Sequence, residues 1–203
     1  AGICIATRYG RSGFIGELVV GRHLRMLGIG QLLFQRALDY LLAAGVESIG
    51  LDGDLNAVSY YEKMGFRKAC RSLRFRGKFR GRKHAHVRPL LPADLDRLCA
   101  LDREFFAADR SFFLRRRLET FPRMCLVAER AGEVRGWIMA RPGDGLLAVG
   151  PWAALAPEEA PPLLEHLAAE HGTEALRVGV LERNADAARL LRAWAGMQEG
   201  IHS

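Results

Sequence analysis

The chain has 203 residues, 49% hydrophobic and 26% charged, with a net charge of +7. This admits one large domain or two small ones with cores of their own. It offers neither the roughly 20 uninterrupted apolar residues of a membrane span nor the basic start and apolar run of a cleaved signal, so the expected compartment is the cytoplasm. The four cysteines, Cys4, Cys70, Cys99 and Cys125, lack C-x-x-C spacing and a companion His pair, so no metal site is expected and reduced, mostly buried thiols are. The positive balance favours a polyanionic partner, with nucleic acid and a multiply phosphorylated nucleotide both open.

Residues 3–7 and 14–20 read as β-branched strands, and the Tyr9-Gly10-Arg11-Ser12-Gly13 turn between them makes a hairpin. A loop over 21–28 leads into a helix over 29–44, whose Ile29, Leu33, Ala37 and Leu41 follow helical spacing and which Gly45 ends. A strand over 46–51, a short helix over 56–64 and a strand over 68–75 come next. Seven basic residues then crowd positions 71–83 (Arg71, Arg74, Arg76, Lys78, Arg80, Arg82 and Lys83), interrupted by Gly77 and Gly81, as a connection between domains would be. Beyond it lie a strand over 87–90, helices from caps at Asp94 and Ser111, and strands over 125–129, 134–140 and 146–149. A helix over 157–171, a strand over 175–181 and a helix over 184–194 close the series.

Residues 87–194 therefore read strand, helix, helix, three strands, helix, strand, helix, and residues 3–66 show the last five elements of that order. This is an internal repeat with a partial first copy. The expected domains are 1–83 and 84–203. The first copy lacks the opening strand and two helices, and the second has no evident final strand. With Ala1 in place of Met, this favours a chain that is part of a longer one, or one completed by a partner such as a second copy in a homodimer.

The segment that carries chemistry runs from Val20 to Gln31. A strand ends, Arg25-Met26-Leu27-Gly28-Ile29-Gly30 forms a loop, and a helix starts at once. Unpaired N–H groups and the helix dipole favour an anion there, and glycines let the backbone approach it. Arg25 adds a charge-assisted contact or holds the loop.

R-x-x-G-x-G between a strand and a helix resembles the pyrophosphate-binding signature of the GNAT superfamily of N-acetyltransferases. Tyr60-Tyr61-Glu62-Lys63-Met64-Gly65-Phe66 is similar to that family's Y-E-K-x-G-F ending, and Ile49-Gly50-Leu51-Asp52 stands where its next strand would. The resemblance implies an α/β fold of the α+β kind: a mixed, mostly antiparallel sheet flanked by helices, in which two neighbouring strands splay apart. It implies acetyl-CoA as acetyl donor, held by Arg25, Leu27, Gly28, Ile29, Gly30 and Gln31, with Leu18 and Val20 offering backbone groups to the pantetheine arm. It implies direct attack by a primary amine, most simply that of a small molecule. Tyr61 matches the position that often protonates the departing thiolate, which a phenol of ordinary pKa near 10 can do; packing is the other role open to it. Glu17 is a base for the incoming ammonium or an exposed strand residue. Where family members carry a cofactor-contacting Asn, seven residues before the Tyr, this chain has Asp54, with Asn56 two residues on; either the helix start is rearranged, with Asn56 as the candidate contact, or the contact is absent.

Residues 87–197 resemble a degenerate copy, as in certain bacterial two-domain acetyltransferases, through Asp102-Arg103-Glu104-Phe105-Phe106, Gly150-Pro151-Trp152 and Glu182-Arg183-Asn184. Ala153-Ala154-Leu155-Ala156-Pro157 stands where R-x-x-G-x-G would, and Arg192 where the Tyr would, so no catalysis is placed there. Asp102, Arg103, Asp109 and Arg110 line a cleft or form a solvated helix face; Trp137, Trp152 and Trp194 are core or interface aromatics. Two other readings stand: a nucleic-acid platform over 71–83 with Phe75 and Phe79 stacking between the charges, and an inactive CoA-binding scaffold.

Overall fold

A computed structural model describes residues 1–78, 80–143, 145–171 and 175–200. The chain divides into two compact units, residues 1–53 with 106–109, and residues 54–105 with 110–203.

In the first unit β1 (Gly2–Tyr9) and β2 (Ser12–Val20) form the expected antiparallel hairpin, turned at Gly10, whose φ is 64°. β2 also pairs in parallel with β3 (Ser48–Leu51), so it is the middle strand. Residues opposite one another across β1 and β2 share a face. One face carries Ala6, Gly13 and Ile15 and is covered by α1 (Ile29–Ala43), which buries Phe34, Ala37 and Leu41. At Gly13 a Cβ would lie 3.0 Å from Leu41 and 3.1 Å from Val46, so any side chain there would need both to shift by a few tenths of an ångström. The opposite face presents Ile3, Ile5, Phe14 and Val19 largely exposed.

The second unit holds α2 (Val58–Lys63), β4 (Ser72–Gly77), β5 (Val87–Pro89), α3 (Leu95–Phe106, all but its last residue) and α4 (Ser111–Thr120). β6 (Cys125–Arg130), β7 (Glu133–Gly143), β8 (Leu146–Ala154), α5 (Ala160–Glu170), β9 (Ala175–Leu181), α6 (Ala185–Ala193) and β10 (Met197–Glu199) complete it. Its seven strands run in the order β10-β4-β9-β8-β7-β6-β5. β6 and β7 carry uninterrupted buried apolar runs, Cys125 to Ala128 and Gly136 to Ala140, because both faces of the sheet are covered there. Cys125, Val127, Trp137 and Met139 point to the side of Leu98 and Leu114 from α3 and α4; Leu126, Ala128, Ile138 and Ala140 point to the side of Leu163, Leu167 and Leu191 from α5 and α6.

Several expectations are revised. The second copy does have a closing strand: β10 pairs with β4, a pairing that short polar Met197-Gln198-Glu199 does not announce. β4, from the segment before residue 83, lies between β9 and β10, in the same sheet as β5–β8. Gly77 and Gly81 are places of close approach: a Cβ would fall 1.8 Å from the carbonyl oxygen of Gly196 and 2.1 Å from that of Glu165. Ser111 is the first residue of α4 and not its cap. Asp94 is the third residue of the 3-10 turn Pro92–Asp94 that leads into α3, and its carboxylate reaches back to accept the Leu91 N–H at 2.8 Å.

Candidate functional site

β2 and β3 pair only from Ser12↔Ser48 to Ile15↔Leu51; from Gly16 on, β2 has no strand partner on that side among the described residues. On its other side the register to β1 shifts between Ile3 and Ile5, which face Val19 and Gly16, so Glu17 and Leu18 form a bulge opposite Cys4. Glu17 takes a φ of 51°, a left-handed conformation for a non-glycine residue, and its side chain is exposed. The strand therefore bends where its inner edge is open. Leu18 and Val20 lie on that stretch, as the expected backbone contacts require.

Past Val20 the chain makes a 3-10 turn over Arg22–Leu24 and reaches Arg25, whose Nε donates to the carbonyl oxygen of Val20 at 3.1 Å. Of the two roles open to Arg25, the structure gives it at least that of tying the loop back to the strand. Met26 and Gly28 both have positive φ, 65° and 78°. Gly28 is the residue before α1, and no side chain caps the helix; its first bond runs from Leu32 N–H to Gly28 C=O at 3.0 Å. The N–H groups of Ile29, Gly30 and Gln31 precede that bond and are the ones a helix start leaves for an external acceptor. Gly30 is not required by the fold, since a Cβ there would meet only Val20 Cγ2 at an ordinary 3.6 Å. Its missing side chain is instead what a ligand approaching the helix start would need. The loop's apolar side chains are left outside: Met26 is fully exposed and Leu27 67% exposed.

Tyr61 belongs to the other compact unit and is described within it. It lies in α2, half-buried, edge-on to Tyr60 at 5.3 Å and to Phe66 at 6.3 Å between ring centroids. Asp54 accepts the N–H of Asn56 at 2.8 Å and caps the 3-10 turn Leu55–Ala57. The carboxylate thus serves the backbone of its own turn, while the Asn56 side chain is exposed.

The remaining chemistry-bearing residues are structural. Asp102, 1% exposed, receives both Nε (2.6 Å) and Nη2 (2.7 Å) of Arg110, so these two are a buried bidentate pair and not a solvated helix face. Sequence reading misses this pair because nothing in the spacing of an acid and an Arg eight positions apart shows a turn between them. Burial pushes the Cys125 thiol up to about 12, so it is no nucleophile. Cys4, Cys70 and Cys99 form no disulfide among the described residues and are only partly buried, less so than expected. Trp137 is a core residue, and Trp152 and Trp194 stack with centroids 6.5 Å apart. Among the described residues no cluster of three or more His, Cys, Asp or Glu is placed to hold a metal ion, and no helix is long and apolar enough to cross a membrane. In the basic segment, Phe75 is fully buried and Phe79 lies outside the described residues. Arg71 pairs with Glu182 (3.8 Å), Arg82 with Glu165 (2.8 Å) and Lys83 with Glu170 (3.7 Å).

An open strand edge, a bulge, and an uncapped glycine-lined helix start make up a known constellation. A family model described as acetyltransferase (GNAT) family matches residues 1–66, and one described as acetyltransferase (GNAT) domain matches residues 98–200. The chain belongs to the GNAT acetyltransferase family and carries two GNAT-like regions in tandem. Among solved structures it is similar to a provisionally assigned acetyltransferase of Pyrococcus horikoshii, at 22% identity and a TM-score of 0.81, over 99% of this chain and 66% of that one. It is similar to a GCN5-related N-acetyltransferase of Sphaerobacter thermophilus (15%, TM-score 0.63, 99% and 73% covered). It also resembles a tandem GNAT protein from the clavulanic acid biosynthesis pathway (12%, TM-score 0.61, 98% and 78% covered). No curated protein matches the chain in sequence.

Proposed function

We propose that the chain transfers an acetyl group from acetyl-CoA to a primary amine, most simply that of a small molecule, by direct attack and without a covalent enzyme intermediate. The observation that carries this reading is the start of α1: uncapped, preceded by left-handed Gly28, and bearing at Gly30 a missing side chain that the fold does not require. The backbone N–H groups of Ile29, Gly30 and Gln31 would hold a pyrophosphate, with Arg25 and Leu27 shaping the loop. The open edge of β2 at Leu18 and Val20 would pair with the amide groups of a pantetheine arm, and Asn56 supplies a further polar contact. When bound, the donor supplies an activated thioester. Glu17, exposed on the bulge, accepts a proton from the incoming ammonium, directly or through water. Tyr61 donates a proton to the departing sulfur, and Tyr61→Phe tests that role. The sequence copies 1–83 and 84–203 then divide the labour, the first binding the donor and the second carrying no catalytic group.

The nucleic-acid reading is weakened by the burial of Phe75 and the ion pairs of Arg71, Arg82 and Lys83. An inactive scaffold would bind CoA yet transfer to no amine.

A thermal-shift titration with acetyl-CoA, CoA and ATP, at low and moderate salt, tests the binding. At a hundred times its dissociation constant a ligand stabilises the fold by about 2.7 kcal/mol. Saturable shifts with both CoA species and none with ATP are expected. No shift with either CoA species would overturn the donor assignment.

A further inference from the structure

The seven-stranded sheet has an opening of its own. β8 and β9 pair in parallel only from Leu146↔Ala175 to Val149↔Val178. Beyond that point β8 stays with β7 as far as Ala154, and β9 stays with β4 as far as Leu181. The two strands therefore part in mid-sheet, each held from its outer side. The gap opens into a cavity of about 970 Å³, a size in the range of small-molecule sites. Its walls are largely aliphatic, with Val149, Ala154, Val178, Val180 and Leu190 among them.

This slot is not built for the phosphates of a nucleotide. The turn after β8, Pro157–Glu159, and the first turn of α5 contain Pro157, Pro161 and Pro162, each without an N–H to offer. Glu158 and Glu159 also stand in the first turn of that helix start, which lowers its appeal to an anion, although Glu159 is itself engaged by Arg130. Pro151 also removes a donor from the open edge of β8.

What the slot does offer is positive charge on its α6 side. Three arginines line it, Arg110, Arg183 and Arg189, against one carboxylate, Asp186. Arg110 is engaged by Asp102 and Arg189 lies 3.4 Å from Asp186, whereas Arg183 is exposed and forms no ion pair among the described residues. Asn184 is occupied in capping α6. A lining side chain is also short of a partner: the indole N–H of Trp152 is buried without an acceptor. A hydrophobic slot with one uncompensated cation and an unanswered donor is complementary to an apolar body carrying an acidic end. We propose that the β8/β9 slot binds an elongated apolar carboxylate, with Arg183 as its charge partner.

The test is calorimetric titration of the full chain with dodecanoate below its micelle range, with and without saturating acetyl-CoA. One saturable equivalent is expected, undiminished by acetyl-CoA. Arg183→Glu should weaken it about tenfold, the scale of a lost charge-assisted contact. Ala187→Phe, which fills the slot from α6, should abolish it at unchanged circular dichroism. Absence of saturable binding, equal binding by wild type and Arg183→Glu, or displacement by acetyl-CoA would overturn the proposal. So would a second equivalent of acetyl-CoA lost in Ala187→Phe, since the slot would then be a nucleotide site. Because dodecanoate is titrated alone as well, the outcome does not depend on whether the β2 site binds CoA.

Discussion

The chain contains the same strand geometry twice and uses it differently. β2 parts from β3 after Ile15, and β8 parts from β9 after Val149. In each case a bulge on the first strand comes within a residue or two, at Glu17 and Leu18, and at Gly150 and Pro151. The splay is thus a property of the shared topology. Past the splay, local sequence decides: after β2 an uncapped helix start with Gly28 and Gly30, after β8 three prolines and two glutamates. On the proposed reading, anion affinity would reside in those few residues, because an N–H donor is present or absent residue by residue.

The sharpest way to break this comparison is through chemistry, which only the first copy is proposed to supply. Tyr61→Phe keeps the ring and removes the proton. Turnover should fall by about a hundredfold or more, the usual worth of a general acid, with acetyl-CoA affinity unchanged by calorimetry. Equal loss of affinity and turnover would make Tyr61 a binding residue, and the second copy's Arg192 would no longer mark it as inert.

Next in size is Gly30→Ala. The added methyl meets only Val20 in the free protein, and Ala is the better helix former by up to about 1 kcal/mol. The melting temperature should hold or rise while acetyl-CoA binding weakens about tenfold, the scale of one lost phosphate contact. A drop in melting temperature would show that Gly30 serves the fold, and the helix start would lose its claim to be a ligand site. Arg25→Ala removes the bond from Nε to the Val20 carbonyl, a contact worth about 1 kcal/mol. A several-fold rise in KM for acetyl-CoA with kcat unaltered is expected; steady-state kinetics at varied donor concentration measures it.

Legibility in the sequence tracks the range of the interactions. The hairpin, α1 and the helix-start motif are written in neighbouring residues, through period, turn glycines and R-x-x-G-x-G, and they were legible. The position of β4 between β9 and β10 was not, because pairing of residues 72–77 with 176–181 and 197–199 depends on partners about a hundred positions away. Nor was the role of Asp54, since Asp and Asn serve equally as a turn cap and as a polar contact, and only the observed acceptance from Asn56 N–H separates them. The bulge at Glu17 had no signal at all: a Gly there would have announced positive φ, and a Glu does not.

The two units also differ in how they hold charge, and the smallest expected effect comes from that difference. Arg11 and Glu47 of the first unit pair across a surface where both side chains are more than half exposed, 79% and 59%. Asp94 of the second accepts Nη1 (2.7 Å) and Nη2 (2.9 Å) of Arg88 and the Leu91 N–H, and its side chain is 13% exposed. The Arg88 guanidinium, against the opposing push of burial and with help from the Leu91 N–H, holds the Asp94 carboxyl below the usual carboxylate range. A carboxylate depressed in the folded state stabilises above its unfolded pKa of about 4, and that contribution disappears as the pH falls through the lower folded value. Asp94→Asn should therefore cost about 1–2 kcal/mol at neutral pH, read as a lower melting temperature, and the gap from wild type should close below about pH 4. Glu47→Gln should cost under about 0.5 kcal/mol at any pH, as exposed pairs do. Equal losses in the two variants would mean that the second unit's frame is no better bound by its charges than the first.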